Sequence, residues 1–481
     1  MKITISRREL KDLVSGFSKI IPHRPTLAVL GMARFDVGRS NRLVAQATDL
    51  DQAARYQFDQ ATVDGSGSLI APFATLKELA KGADSETIEL EAGPTTDEKA
   101  TVIIVNNVGG HALRQTVDVV PLADFPQVGP EVETGPADGF LPTYRRLAPF
   151  ASSDQTRRVL NSVFVDLSGT GERNATLVAC DGRRLTCCNS FTLPIKAKNG
   201  VVVPITKFLT WPGLGDEATI GTSSKRKCVP WFGLKAGPWT YCAKTVDGIY
   251  PNWRQVIPGK EDMVHQFAFT DADVDAMKKL LPAFPGKDEI TLIGTTSGVI
   301  ALAGKNAGDK TETSADLTAG SKYQGKGIRA SLNRFYLLDA FAAGFRNFGF
   351  MDSYSPLRSE DKGAIHVLMP LRIGADAPES APKPATNPAP AEPATNPTPA
   401  AETPPEPPKE TKTMPPETTE PTALDKLQAA YETAKAKIRE ANQALADVAE
   451  AIKLAAREDR QRRTEVENVR AGLQKLQAIK V

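Results

Sequence analysis

Few side chains in this 481-residue sequence are spaced for catalysis. The four histidines, His23, His111, His265 and His366, are scattered, with no paired carboxylate or nucleophile context to build a proton relay. The five cysteines, Cys180, Cys187, Cys188, Cys228 and Cys242, form no CxxC pair and have no companion histidine at zinc-ligand spacing. They read as ordinary buried thiols of a reducing compartment. Asp181 and Asp247 each precede a glycine, which suits turn geometry better than acid–base work. The run Gly320-Ser321-Lys322-Tyr323-Gln324-Gly325-Lys326-Gly327 approaches a phosphate-binding loop. It lacks the closing Ser or Thr that would meet Mg²⁺, and it sits in a polar stretch rather than between a buried strand and a helix. No enzymatic activity, no metal and no cofactor is expected.

Composition narrows the remaining options. Net charge is +2, so total charge does not announce a nucleic-acid binder, although the first 373 residues are mildly basic and the remainder mildly acidic. Any contact with a polyanion must come from where the charges sit. The N-terminus, MKITISRREL, has no apolar signal core, and no apolar run is long enough to span a bilayer. A cytoplasmic protein without a membrane partner is expected.

The elements that must position any binding residues repeat along the chain. Leu10, Leu13, Val14, Phe17 and Ile21 share one helical face between Arg7 and Ile21. A strand-like run, Leu43–Thr48, leads to Thr48-Asp49-Leu50, and Leu69-Ile70-Ala71-Pro72 then opens a helix over 73–82. Further on, Val178-Ala179-Cys180-Asp181-Gly182 is followed by Val202-Val203-Pro204 and a short helix expected from Ile205. The interval from Thr48 to Pro72 equals that from Cys180 to Pro204, 24 residues in both. Each unit closes on a similar phrase, DFPQV at 124–128 and YPNWRQVIP at 250–258. The last part is a weaker copy, with one helix face at Val274, Met277, Leu281 and Phe284 and another at Leu338, Phe341 and Phe345. Self-similarity at about 120 residues predicts three tandem α+β domains, each with two helices packed on antiparallel sheet. Their expected bounds are 1–129, 130–258 and 259–373.

Beyond Ile373 the pattern changes. Residues 374–421 are rich in Pro, Ala, Thr and Glu, with a near-duplicate PATNPAPAE and PATNPTPAAE. So little apolar surface cannot offset ordering entropy, and a disordered, polyproline-like linker is expected, its stretch from Pro378 to Pro421 reaching on the order of 130 Å at full extension. Residues 422–481 switch to a 3-4 apolar repeat carried by Leu424, Leu427, Tyr431, Ala434, Ile438, Ala441, Leu445, Val448, Ile452 and Ala455. A coiled coil and a lone charge-laced helix both fit this pattern.

Four phrases carry a resemblance to a known family. Ala179-Cys180-Asp181-Gly182-Arg183-Arg184-Leu185 resembles the ATDGHRLA phrase of the bacterial DNA polymerase III beta subunit, the sliding clamp. Val246-Asp247-Gly248-Ile249-Tyr250-Pro251 is similar to its VDGxFP, and His366-Val367-Leu368-Met369-Pro370-Leu371-Arg372-Ile373 to its terminal VMPMRL. Arg24-Pro25-Thr26-Leu27, followed by Thr48-Asp49-Leu50, is similar to its RPTLPIL…TDLE. The phrases stand in family order and span 1–373, whereas the linker and helical extension have no counterpart in the usual clamp.

The resemblance implies a processivity factor for DNA replication. It would be a head-to-tail homodimeric ring, without catalysis, that encircles duplex DNA regardless of sequence. Implied partners are the DNA polymerase III alpha subunit, the clamp loader and other clamp-motif proteins. A divergent paralogue for repair or a mobile element, or a coiled-coil scaffold with a non-sliding body, stands as the alternative. The family's peptide groove maps onto Leu160, Gly182, Arg184, Leu185, Pro251, Val256, Val367, Met369, Pro370, Leu371 and Arg372. Here Arg183 replaces the usual His, Gln255 an Arg and Leu371 a Met, which implies a peptide preference of its own. Each helical segment carries cations that could line the ring: Lys11 and Lys19, Lys77 and Lys81, Arg145 and Arg146, Lys207, Lys278 and Lys279, and Arg334. Arg24, Arg157 and Arg158 map near the family's DNA-contacting loops, and Leu280 and Leu281 near its ring joint.

Overall fold

The computed structural model describes residues 1–372 apart from 39–41, 83–85, 96–99, 109–110, 170–174, 196, 198–199, 224–229 and 307–310. Cys228, Ile373, the Pro-rich linker and the heptad segment therefore lie outside the described residues. Those described form an α+β structure of five α-helices on four antiparallel sheets.

Helix α1 (Arg7–Phe17) begins where the Ser6 side chain accepts the Glu9 amide, and it buries Leu10, Leu13 and Phe17. It ends before the expected Ile21, as the chain turns after Phe17. Helix α2 (Phe73–Leu79) starts directly after Pro72 and buries Phe73 and Leu76. Helix α3 (Phe140–Leu147) buries Phe140, Leu141, Tyr144 and Leu147. Helices α4 (Asp271–Ala283) and α5 (Arg334–Ala342) are capped by Thr270 and Asn333, whose side chains accept first-turn amides. Phe345 lies beyond α5 but is fully buried.

One expected helix does not form. From Ile205 the chain makes hydrogen-bonded turns, with the Leu209 amide on Thr206 Oγ1 and the Thr210 amide on the Thr206 carbonyl. A short 3-10 helix, Pro212–Leu214, follows. Pro212 is the physical reason: it forces Trp211 out of helical geometry, to ψ 122°, and has no amide hydrogen to give.

The two largest sheets join distant stretches of chain. In the eight-stranded sheet, strand Gln52–Gln57 pairs with Trp239–Lys244, placing Ala53 opposite Cys242. In the nine-stranded sheet, Arg184–Phe191 pairs with Ala364–Leu368, placing Leu185 opposite Val367. We call these the first and second seams. A five-stranded sheet ends on His111–Val119 and a four-stranded sheet on Thr313–Leu317, each an outermost strand. The helices cover the sheets through one continuous core, and two smaller apolar clusters lie apart from it, one at each seam.

Two buried arginines tie helix ends together. Arg334, 2% exposed, donates to the carbonyls of Leu281, Phe284, Pro285, Gly286 and Glu289 at 2.8–3.0 Å. It satisfies the open C-terminal end of α4, so it does not belong among cations that line a bore, as its helical position had suggested. Arg7 does the same for α2 through the Leu79 carbonyl, and also meets Asn106 and Glu86.

Candidate functional site

The second seam carries most of the expected peptide groove. Strand residues Val178, Leu185, Cys187, Val202 and Val367 form a buried apolar patch, with Tyr250 and Trp253 laid over it. Leu160 packs against the same patch, and Phe164 stacks on Tyr250 with ring centroids 4.7 Å apart. Trp253 opens the 3-10 helix Trp253–Val256, which is fastened to the sheet by Asp166. One oxygen of Asp166 accepts both Trp253 Nε1 at 2.8 Å and the Arg254 guanidinium at 2.6 Å. Burial pushes the Asp166 carboxyl up, but hydrogen bonds from Ser168, Trp253 and Arg254 outweigh it and leave the pKa lowered. The carboxylate therefore stays charged and holds Val256 at the surface, 50% exposed. Met369 stands out likewise at 39%. Pro251 is exposed as well.

The structure thus brings Leu160, Leu185 and Val367 into one apolar patch, with Pro251, Val256 and Met369 as exposed groups. The remaining expected residues have other work. Gly182 holds φ +89° in the turn between the seam strand and its neighbour. Arg184 is 8% exposed and bridges Asp181 at 3.0 Å and Asp339 at 2.6 Å, donates to the Pro149 carbonyl, and stacks over Phe150 and Tyr336. It is thereby committed to locking the seam rather than open to a ligand. The Met369 amide donates to the Arg183 carbonyl and the Leu371 amide to the Ser331 carbonyl, which anchors this end of the chain. Pro370 is buried, Leu371 half-buried and Arg372 exposed.

His366 sits on the same seam, fully buried between Phe150 and Phe345, with Nδ1 2.8 Å from Thr186 Oγ1. Burial first, and then the nearby Arg184 charge, press its pKa down to about 3, so the ring is neutral near pH 7. The described cysteines are free thiols, and burial pushes Cys187 up to about 12 and Cys242 to about 11. Neither is poised as a nucleophile. The glycine-rich run at 320–327 is closed by its own chain: Asp273 accepts the Ala319 and Ser321 amides, and Tyr323 accepts that of Gly327.

The expected DNA-binding cations divide by environment. Arg24, Lys77, Arg157, Arg158, Lys207 and Lys278 are exposed. Of these Lys77 lies over the Phe73 ring, Lys278 pairs with Asp275 at 2.8 Å, and Arg157 is 3.7 Å from Asp154. Lys11 is half-buried. Arg145 is tied down by Asp216 and the carbonyls of Trp211 and Gly215, and Arg146 by Asp361 and the Ala343 carbonyl. For the ring joint, Leu281 is corrected to a core residue: it is 0% exposed beneath α4, where its own chain already covers it. Leu280 is half-buried against the same core. Among the described residues, no helix is long and apolar enough to cross a membrane.

Sequence reasoning missed Asp166, Asp339 and Trp253 as organisers of this surface. Only Trp253 lay within a phrase that repeats, and the two carboxylates had no local signal.

No family model matches the chain. It is 26% identical over 394 residues to the beta sliding clamp of Escherichia coli K12, covering 78% of this chain and all of that protein. The beta sliding clamp of Chlamydia muridarum is 22% identical over 398 residues with the same coverage. Among solved structures, the DNA polymerase III subunit beta of Pseudomonas aeruginosa superposes with a TM-score of 0.63 at 20% identity, covering 77% of this chain and all of that one. The DNA polymerase sliding clamp of Caulobacter crescentus gives 0.62 at 23% identity, covering 78% of this chain and all of that one. Over 78% of its length, then, this chain is homologous to the bacterial beta sliding clamp and has the sliding-clamp fold.

Proposed function

We propose that this chain is a DNA sliding clamp, a non-catalytic ring of two subunits that encircles duplex DNA and tethers DNA polymerase and other replication proteins to it. The observation that carries the reading is the end-to-end match: the chain aligns with the whole length of the Escherichia coli clamp rather than with a part of it. Two long antiparallel seams support it, because they weld stretches of chain more than a hundred residues apart into continuous sheet, as a rigid ring segment requires. We take residues 1–129, 130–258 and 259–373 as three copies of one module, on the strength of the repeated turns and the sheets joined at the seams. The free outer strands His111–Val119 and Thr313–Leu317 are suited to pair head to tail between subunits, with Leu113, 58% exposed, at the contact.

Arg24, Lys77, Arg158, Lys207 and Lys278, with Lys11 and Arg157 as weaker contributors, would hold DNA through phosphate contacts that ignore sequence and weaken with salt. The apolar patch of the second seam would take a short partner peptide through apolar anchors, Val256 and Met369 supplying adaptable edges. Loading onto nicked circular or linear DNA tests the function: a ring stays on the circle and runs off free ends. Equal retention on both would mean groove binding without encirclement.

The departures at Arg183, Gln255 and Leu371 favour one second reading, a clamp paralogue with its own choice of partner peptide. The linker and heptad segment would then act as a tether that recruits a partner near the patch. Truncation after Ile373 should leave ring formation and DNA retention intact while weakening one partner interaction. A truncated chain that cannot dimerise would make the tail part of the ring instead.

A further inference from the structure

An open cavity of about 480 Å³ lies where the chain leaving α5 meets α3 and the start of α4. It is lined by Arg146, Asp271, Gly344, Arg346, Asp361 and Lys362 among others. Asp361 accepts Arg146 Nη2 at 2.7 Å, and Asp271 accepts Arg346 Nε at 2.8 Å. Backbone holds each guanidinium as well, Arg146 Nε by the Ala343 carbonyl and Arg346 Nη1 by those of Phe341 and Phe345. Arg346 thereby covers the negative end of α5. Both forks are fixed before any ligand arrives, which lowers the ordering cost of binding. Each keeps one nitrogen, Arg146 Nη1 and Arg346 Nη2, without a hydrogen-bond partner among the described residues.

Lys362 is the surplus cation. Its exposed side chain has no ion pair or hydrogen bond among the described residues. Lys362 and Gly363 form a two-residue turn between the paired Asp361 and Ala364, and both have left-handed backbone, at φ +45° and +77°. Asparagine or glycine suits the first place of such a turn, and a lysine is strained there. Three cations against two carboxylates leave the lining at +1, which draws an anion. The choice among anions turns on Asp361, whose Oδ1 accepts no hydrogen bond among the described residues. An anion with no hydrogen to give is repelled by that oxygen. One that also carries a hydroxyl satisfies both kinds of group. Inorganic phosphate keeps a hydroxyl at neutral pH, whereas sulfate and the phosphodiesters of DNA have none.

We propose that this cavity is a binding site for inorganic phosphate in its hydrogenphosphate form. Lys362 Nζ, Arg146 Nη1 and Arg346 Nη2 donate to its anionic oxygens, and its hydroxyl donates to Asp361 Oδ1. Arg146 belongs to the middle third of the first 373 residues and the other groups to the last third. Bound phosphate therefore fastens these two stretches together beside the second seam.

Titration of the full chain with phosphate, sulfate or chloride at matched ionic strength, followed by calorimetry and thermal unfolding, tests this. The parent should bind phosphate saturably and about tenfold more tightly than sulfate. In Lys362→Asn, phosphate affinity should fall about tenfold while resistance to denaturant stays the same or rises, because asparagine suits the turn. Asp361→Asn offers a hydrogen where the carboxylate accepted one, so the preference for phosphate over sulfate should largely disappear. General stabilisation by excluded salts acts alike on parent and Lys362→Asn and cancels in their difference. The proposal is overturned if the parent shows no saturable phosphate binding, or binds sulfate as tightly. It also falls if Lys362→Asn binds phosphate as the parent does, or if duplex DNA rather than phosphate loses affinity in that variant.

Discussion

The two seams share a plan and differ in what they leave open. At the first, small side chains face each other, Ala53 and Cys242, and the chain's own Phe125, Val128, Val132 and Ile70 close over them. At the second, Leu185 faces Val367, and the covering segment comes from Tyr250 and Trp253. The phrase Gln-Val recurs in both covering segments, yet Val128 is 9% exposed and Val256 is 50% exposed. One junction is therefore sealed by its own chain, while its repeat presents apolar surface to the outside. On the proposed reading, the exposed apolar groups at the second junction are the edge of the surface that takes a partner peptide.

The polar locks differ as well. The position three residues past the turn aspartate is Arg184 at the second seam and Gln52 at the first. Arg184 joins two carboxylates and a carbonyl, whereas Gln52 meets Asp49 at 2.8 Å and accepts the Tyr241 hydroxyl at 2.9 Å. The largest expected effect follows from this contrast. Arg184→Met removes the side chain that bridges Asp181 and Asp339 and should cost about 3 kcal/mol in chemical denaturation. Arg184→Lys should recover little, because a point charge cannot reproduce the planar fork that spans both carboxylates. A loss below about 0.5 kcal/mol would mean that the charged lock adds no more than an exposed ion pair does.

Next in size is Leu185→Ala, which opens a cavity beneath Tyr250 and Trp253 and should cost about 2 to 3 kcal/mol. The comparison sharpens here, because its counterpart at the first seam is already Ala53. If the second patch binds partner peptides, Leu185→Ala should weaken them about tenfold or more even under conditions where the chain stays folded. Unchanged peptide affinity in the folded variant would move the contact surface elsewhere.

A smaller effect per pH unit comes from His366, which only the second seam carries. Its folded pKa lies well below the unfolded value near 6.5, so the unfolded chain takes up the proton first. Stability should then fall as pH drops below about 6.5 and keep falling towards about 3, by on the order of 1 kcal/mol per pH unit from this group. His366→Gln keeps a hydrogen-bonding atom for Thr186 without a titrating ring, and should flatten the slope between pH 6 and 4. Equal slopes in parent and variant would assign the acid sensitivity to carboxylates such as Asp166.

Much of this architecture is legible locally. The apolar face Leu10, Leu13 and Phe17 gives α1, that of Val274, Met277 and Leu281 gives α4, and the Asp181-Gly182 pair announces its turn. What is not legible is pairing across the chain. Asp166 lies 87 residues from Trp253, and Arg184 lies 155 from Asp339, so no periodicity links them. Arg334 shows how a local pattern misleads. It reads as one more cation on an amphipathic helix, but as the first residue of α5 its side chain reaches back past the helix start, where the carbonyls at the end of α4 are unsatisfied. Leu281 misleads in the opposite sense, since an apolar residue on a helix face is identical in sequence whether a neighbouring subunit or its own core covers it.

Gln52 provides the weakest and most discriminating case. Its side chain belongs to a chain of hydrogen bonds that runs from the Asp49 carboxylate through Gln52 to the Tyr241 hydroxyl and on to Thr206 at 3.0 Å. Replacing it with leucine leaves the Tyr241 hydroxyl its bond to Thr206 and leaves Asp49 its two backbone amides. No charge is stranded, so Gln52→Leu should cost about 1 kcal/mol, the net worth of an ordinary hydrogen bond. The cost should be the same at low and high salt, because no ion pair is broken. If Gln52→Leu instead matched Arg184→Met, the charge at the second seam would add nothing to holding it together. The bridge from Arg184 would then have to be explained by what binds there rather than by stability.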